Sequence, residues 1–107
     1  SVDENFISSL LKSLEKGIPD SEFSVNDLEK ELSMSRASLY RKITNITGMS
    51  AKELLQDMRM KRAHQLLHDH NDLRISDVAY MVGFTSPKYF SKCFRSKYGF
   101  SPSDVKI

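Results

Sequence analysis

The chain has 107 residues, 39% apolar and 28% charged, with three prolines and one cysteine, which excludes collagen-like repetition and wholesale disorder and leaves one small globular domain. No window approaches eighteen uninterrupted apolar residues, and Ser1-Val2-Asp3-Glu4 offers no basic start to a signal peptide, so a cytoplasmic setting without membrane contact is expected. The net charge of +2 hides an asymmetry: residues 1–35 carry eight acids and three bases, residues 36–107 thirteen bases and six acids.

In chain order, Phe6, Ile7, Leu10, Leu11 and Leu14 recur at helical spacing between Asp3-Glu4 and Lys16-Gly17, predicting an amphipathic helix over 3–16. Ser24, three residues before Asp27, can cap a short helix that turns Val25, Leu28 and Leu32 inward and ends near Ser33. Ser35 can cap the next, with Leu39, Ile43 and Ile46 toward the core, Arg36, Ala37, Tyr40 and Arg41 outward, and Thr47-Gly48 as the stop. Two helices joined by so short a turn match a helix-turn-helix. Ser50-Ala51-Lys52-Glu53 is a capping box opening a longer helix to about His68, with Leu54, Leu55, Met58, Ala63, Leu66 and Leu67 as its apolar positions. After Asn71-Asp72, Ile75, Val78, Ala79 and Val82 mark a short helix, Gly83-Phe84-Thr85 a turn, and Ser86-Pro87 the start of a helix ending at Tyr98-Gly99. Ser101-Pro102-Ser103-Asp104 begins a last one.

The pattern repeats. Leu28, Leu32 and Met34 recur fifty residues later as Val78, Val82 and Phe84; Leu39, Ile43, Gly48 and Ser50 recur fifty-one later as Phe90, Phe94, Gly99 and Ser101. The expected architecture is therefore all-α: an extra N-terminal helix and turn (1–22), a first helix-turn-helix subdomain (23–49), a long linker helix (50–70) and a second helix-turn-helix subdomain (71–107). In each copy the second helix is cationic without an acid, with Arg36, Arg41 and Lys42 in one and Lys88, Lys92, Arg95 and Lys97 in the other. Mixed signs would gain i,i+4 pairs, so a doubled cationic helix points to an anionic partner, and duplex DNA offers phosphates for charge and a major groove that admits a helix. The competing reading is a helical protein-interaction module for an acidic partner.

Ala79, Gly83-Phe84, Tyr89-Phe90, Phe94, Gly99 and Ser101-Pro102, in the run AYMVGFTSPKYFSKCFRSKYGFSPSDV, resemble the C-terminal signature of the AraC family of transcription regulators. Met34-Ser35-Arg36, Leu39-Tyr40-Arg41-Lys42-Ile43, Thr47-Gly48 and Arg59-Met60-Lys61-Arg62-Ala63 with Leu66-Leu67 extend the resemblance over about residues 23–104. The Leu-Tyr-Arg-Lys-Ile form with an added N-terminal helix is similar to output domains of hybrid two-component sensors. The resemblance implies two recognition helices in neighbouring major grooves, with base-reading positions at Ala37, Tyr40 and Arg41 and at Pro87, Lys88 and Lys92. Ala37 and Pro87 offer only apolar contact, which shifts polar reading to Arg41, Lys88 and Lys92. Arg36, Ser38, Lys42, Ser86, Ser91 and Arg95 are expected at phosphates or flanking positions. Glu29 stands where the family usually has a small alanine, so a different packing of the first lobe is expected. Sensory or dimerisation domains elsewhere in a longer chain, and RNA polymerase, are the further partners implied; the first residue, which is not Met, fits a longer chain.

A rod over 51–68 is roughly 27 Å long, against about 34 Å between successive major grooves, a gap closed by lobe offset or by bending of the DNA. No cofactor, metal or catalysis is expected, since no phosphate cradle, paired carboxylates or nucleophile-base arrangement is recognisable. His64 is expected on the rod's surface and His68 and His70 at its frayed end, short of the ligands a metal needs. Cys93 reads as a packing residue, and Phe84, Tyr89, Phe90 and Phe94 as core around Gly83, whose positive φ the turn requires.

Overall fold

The computed structural model describes residues 2–106; Ser1 and Ile107, the outer ends of the expected segments 1–22 and 71–107, lie outside the described residues. Seven helices follow in order: α1 (Val2–Gly17), α2 (Val25–Leu32), α3 (Arg36–Thr47), α4 (Ala51–Asp69), α5 (Ile75–Met81), α6 (Pro87–Tyr98) and α7 (Pro102–Val105), with no strand among the described residues. A serine stands before each of α2, α3, α4, α6 and α7, and side chains of their first turns satisfy free N–H groups there. Ser35 Oγ accepts from the Ser38 N–H, Ser86 Oγ from the Tyr89 N–H at 3.1 Å, and Ser50 and Glu53 complete the reciprocal box at 3.0 and 3.1 Å. Asp27 and Asp104 accept from the N–H groups of Ser24 and Ser101 in the same way. The second helix of each copy, α3 and α6, ends on a left-handed glycine cap, Gly48 and Gly99.

The duplication survives in three dimensions, with α2 packed on α3 and α5 on α6. The first turn is short and takes its left-handed residue at Ser33, φ 52°, whereas the longer second turn uses Gly83, φ 85°. α1 packs mainly on α2, and α4 contacts α3 on one side and α5, α6 and α7 on the other. The molecule measures 43 × 23 × 21 Å, and its buried side chains form one continuous cluster from Phe6, Leu10 and Leu14 through Leu28, Leu39 and Ile43 to Val78, Phe90 and Phe94.

α4 makes that continuity possible by burying different faces at its two ends. Ala51, Leu54 and Leu55 are buried in its first turns and Met60, Ala63 and Leu67 in the later ones. At about 100° per residue these two groups lie on nearly opposite sides of the helix, so each lobe hangs from its own flank. A single-stripe reading of the sequence therefore passes over Met60, 1% exposed, while Met58 and Leu66 are only partly buried.

Other expectations need correction. Ile46 is 42% exposed, because α3 runs its last turn past the core into an open groove beside Asp3, Met34 and Asn45. Leu11 is similarly exposed at 41%, one step off the Phe6, Leu10, Leu14 stripe. Tyr89 is 56% exposed: it is one residue, about 100°, from the Phe90 and Phe94 stripe, and its ring meets that of Phe84 at a tilt of 47°, centroids 6.0 Å apart. His64 is half-buried rather than on the surface, its ring packed against those of Tyr98 (5.0 Å), Phe94 (6.2 Å) and Phe100 (6.3 Å).

Candidate nucleic-acid interface

α3 turns its apolar stripe, Leu39 and Ile43, into the first lobe and so leaves Arg36, Ala37, Tyr40 and Arg41 exposed, with Ser38 and Lys42 half-buried. Its cations differ sharply in their surroundings. Arg36 is held by Glu29, Nε to Oε2 at 2.9 Å, and by Asn26 Oδ1 at 2.5 Å. Glu29 thus anchors the start of α3 to α2. Lys42 leans under α1, with its ammonium 4.9 Å from the Phe6 ring centroid and 3.9 Å from Asp3. Arg41 reaches only Ser38 Oγ, at 3.4 Å, and is in no ion pair among the described residues.

In α6, burial of Phe90 and Phe94 leaves Lys88, Tyr89, Lys92 and Arg95 exposed, with Pro87 and Ser91 half-buried and Ser86 exposed at the cap. Lys97 does not belong to the outward set: it pairs with Asp57 of α4, which also binds Lys61 at 3.0 Å. The absence of acids within α3 and α6 is therefore partly compensated from other helices, through Glu29, Asp3 and Asp57. What remains without an ion pair among the described residues is Arg41 in α3 and Lys88, Lys92 and Arg95 in α6. Tyr89, read from the sequence as core, joins this face; its phenol is pushed above its ordinary value by the neighbouring Cys93 thiol. Its exposure is foreshadowed only by its place three residues before Lys92, on the same side of the helix.

The two helices flank the same end of α4. Lys52 lines one groove together with Asn26, Arg36 and Gln56 and a second together with Tyr89, Lys92 and Ser96. Cys93 sits under that second groove, taking a hydrogen bond from Gln56 Nε2 at 3.2 Å. Among the described residues no group of three or more His, Cys, Asp or Glu side chains is arranged to hold a metal ion, and no helix is long and apolar enough to cross a membrane.

A family model described as a helix-turn-helix domain matches residues 28–106. The chain belongs to the AraC-type helix-turn-helix family of DNA-binding domains. In this AraC-type domain, 106 residues are 42% identical to a stretch of histidine kinase P4 of Formosa agariphila, covering 99% of the chain and 8% of the kinase. It superposes on the C-terminal domain of the two-component response regulator yesN from Fusobacterium nucleatum with a TM-score of 0.87 at 25% identity, covering 96% of this chain and 99% of that one. It also superposes on the DNA-binding domain of AdpA, solved in complex with a target DNA, with a TM-score of 0.81 at 27% identity, covering 92% and 89%. The chain spans between 8% and 35% of the lengths of the first curated relatives it matches.

The electrostatics that hold this arrangement together carry a pH signature. The Lys97 ammonium, helped by Lys61, holds the Asp57 carboxyl below its ordinary 3.8, and hydrogen bonds from Ser50 hold Glu53 below 4.5. A carboxylate depressed on folding stabilises the native state fully above its unfolded value and ceases to do so as pH falls through the lower folded value. Stability should therefore be flat near neutrality and decline below pH 4.5, as followed by thermal unfolding at stepped pH. Asp57→Asn should cost about 0.5 to 1 kcal/mol at pH 7 and shallow that acid decline. An unchanged acid limb in the variant would show that the Asp57 pair contributes nothing.

Proposed function

We propose that this chain is the sequence-specific output domain of a larger transcription regulator, docking on double-stranded DNA with α3 and α6 in adjacent major grooves. The observation that carries it is the duplicated pair of cationic helices flanking one end of α4, with Lys52 between them. The 43 Å long axis is compatible with two contacts about one helical turn, roughly 34 Å, apart. In this reading residues 23–49 and 71–107 are the two reading lobes, 50–70 the spacer and 1–22 a brace. Arg41, Lys88 and Lys92 read base edges together with Tyr40, while Ala37 and Pro87 give apolar contact; Ser38, Ser86, Ser91 and Arg95 meet phosphates. Arg36 and Lys42 contribute less, since each is already held by groups of its own chain.

The rest of the regulator would supply sensing or dimerisation, and resemblance to a kinase's short stretch and to a response regulator's C-terminal domain supports a two-component setting. RNA polymerase is a further partner consistent with such a role, the compartment is the cytoplasm, and this domain itself catalyses nothing. An acidic protein surface as the partner loses ground to family membership.

The test is selection of bound duplexes from a random pool, followed by titration of the winner in rising salt. The logarithm of the affinity should fall linearly with the logarithm of salt at about −0.9 per neutralised phosphate, with random duplex bound at least about a thousandfold more weakly. Equal affinity for selected and random DNA would refute the sequence-specific reading.

A further inference from the structure

We infer that Arg59 is a positioning residue which, by tying together the end of α1, the middle of α4 and the α5–α6 turn, fixes the spacing between the two recognition helices. This rests on the two-groove reading above. Arg59 lies in α4, between the part that serves the first lobe and the part that serves the second. Its guanidinium reaches out of the helix and donates to three carbonyls of the turn that ends α1: Nε to Ile18 O at 3.2 Å, and Nη2 to Gly17 O at 3.3 Å and Asp20 O at 2.7 Å. Gly17 O and Asp20 O also accept from the Asp20 and Phe23 N–H groups, at 3.0 and 3.1 Å, so Arg59 adds a tertiary clamp from α4 to a turn that the chain's own backbone already closes.

The third element arrives at the same point. Gly83, in the turn between α5 and α6, is buried against this junction, and a Cβ there would lie 2.4 Å from Ile18 O and 2.8 Å from Arg59 Nη2. The second reading turn therefore touches the very carbonyl that Arg59 holds. At its other end α1 carries Phe6 and Asp3, which sit against Lys42 of α3. α1 is thus in contact with the first recognition helix near its start and with the second recognition turn just beyond its end. Beside the covalent spacer α4 it forms a second strut between the lobes, and Arg59 is the bolt where the strut, the spacer and the second lobe meet.

The consequence for binding is specific. Two contacts on one duplex reinforce each other only if the linkage presents them at the right separation, and loosening the linkage lowers the effective concentration of the second contact without touching the first. Arg59 should therefore govern the coupling between contacts and leave each contact alone. A side chain that merely held the fold would weaken both equally.

The experiment measures affinity of the wild-type domain, Arg59→Gln and Arg59→Lys for three duplexes: the selected site, the site with one contact scrambled, and the site with five base pairs inserted between contacts. For the wild type, scrambling or insertion should each cost about a hundredfold, since five base pairs turn the second contact to the far side of the helix. Arg59→Gln should lose about tenfold on the intact site, keep wild-type affinity for the one-contact duplex, and lose correspondingly less on insertion. Arg59→Lys, which retains a donor, should fall between them. A parallel loss on one-contact and two-contact duplexes in either variant, or an unaltered insertion penalty in Arg59→Gln, overturns the proposal. A wild type indifferent to the insertion would instead overturn the two-groove reading, and this inference with it.

Discussion

Phe94→Ala will lower the stability of the domain by about 3 to 5 kcal/mol, read from the midpoint and slope of denaturant unfolding. Phe94 is fully buried, and its ring lies 4.7 Å from Tyr98, 5.9 Å from Phe90, 6.1 Å from Phe100 and 6.2 Å from His64, centroid to centroid. Removing it empties the centre of an aromatic cluster that joins α4, α6 and the Gly99-Phe100 turn. A small domain has only about 5 to 15 kcal/mol in total, so the second lobe should open first, with amide exchange accelerating in α5 to α7 ahead of α1 to α3. A loss below about 1 kcal/mol would mean that the cluster repacks and is not the second lobe's core.

Arg41→Ala and Lys92→Ala should each cost about 1 to 3 kcal/mol of DNA affinity and relax the preference at one base position, whereas Arg95→Ala should weaken all sequences alike and reduce the salt slope by about one. The structure sharpens this expectation by separating exposed cations that have no ion pair among the described residues from those already engaged. Arg36 and Lys42 share α3 with Arg41, but a phosphate would have to compete with Glu29 and Asn26 for the first, and with Asp3 and the Phe6 ring for the second. Their alanine variants should therefore weaken binding less than Arg41→Ala does. Competition binding against a panel of single-base variants distinguishes the cases. Uniform weakening by Arg41→Ala, Lys92→Ala and Arg95→Ala would refute the base-reading assignment.

What the sequence reveals of this fold is what is local. Ser24, Ser35, Ser50, Ser86 and Ser101 stand before helical runs, Gly48 and Gly99 after them, and the fifty-residue recurrence exposes the duplication before any packing is known. The periodicity fails where one helix serves two neighbours: α4 changes its buried side between Leu55 and Met60, so no single stripe describes it. It also fails one step off a true stripe, as at Tyr89, where composition alone cannot tell the flank of a core from the core.

The candidate interface divides in the same way. The outward position of Arg41, Lys88 and Lys92 follows from the inward position of Leu39, Phe90 and Phe94. The pairing of Lys97 with Asp57, forty residues apart, and of Arg59 with the end of α1 leaves no trace at helical spacing, because such partners are chosen by tertiary packing. Net charge along α3 and α6 consequently overstates what is free to meet an anion, and the correct inventory requires the neighbouring helices.

Hydroxyl-radical footprinting of the selected duplex tests the central proposition most directly. Two protected patches should appear on one face of the DNA, centred about one helical turn, 10 to 10.5 base pairs, apart. A single patch, or no protection at a salt concentration where binding is saturated, would contradict the picture of paired helices in consecutive major grooves.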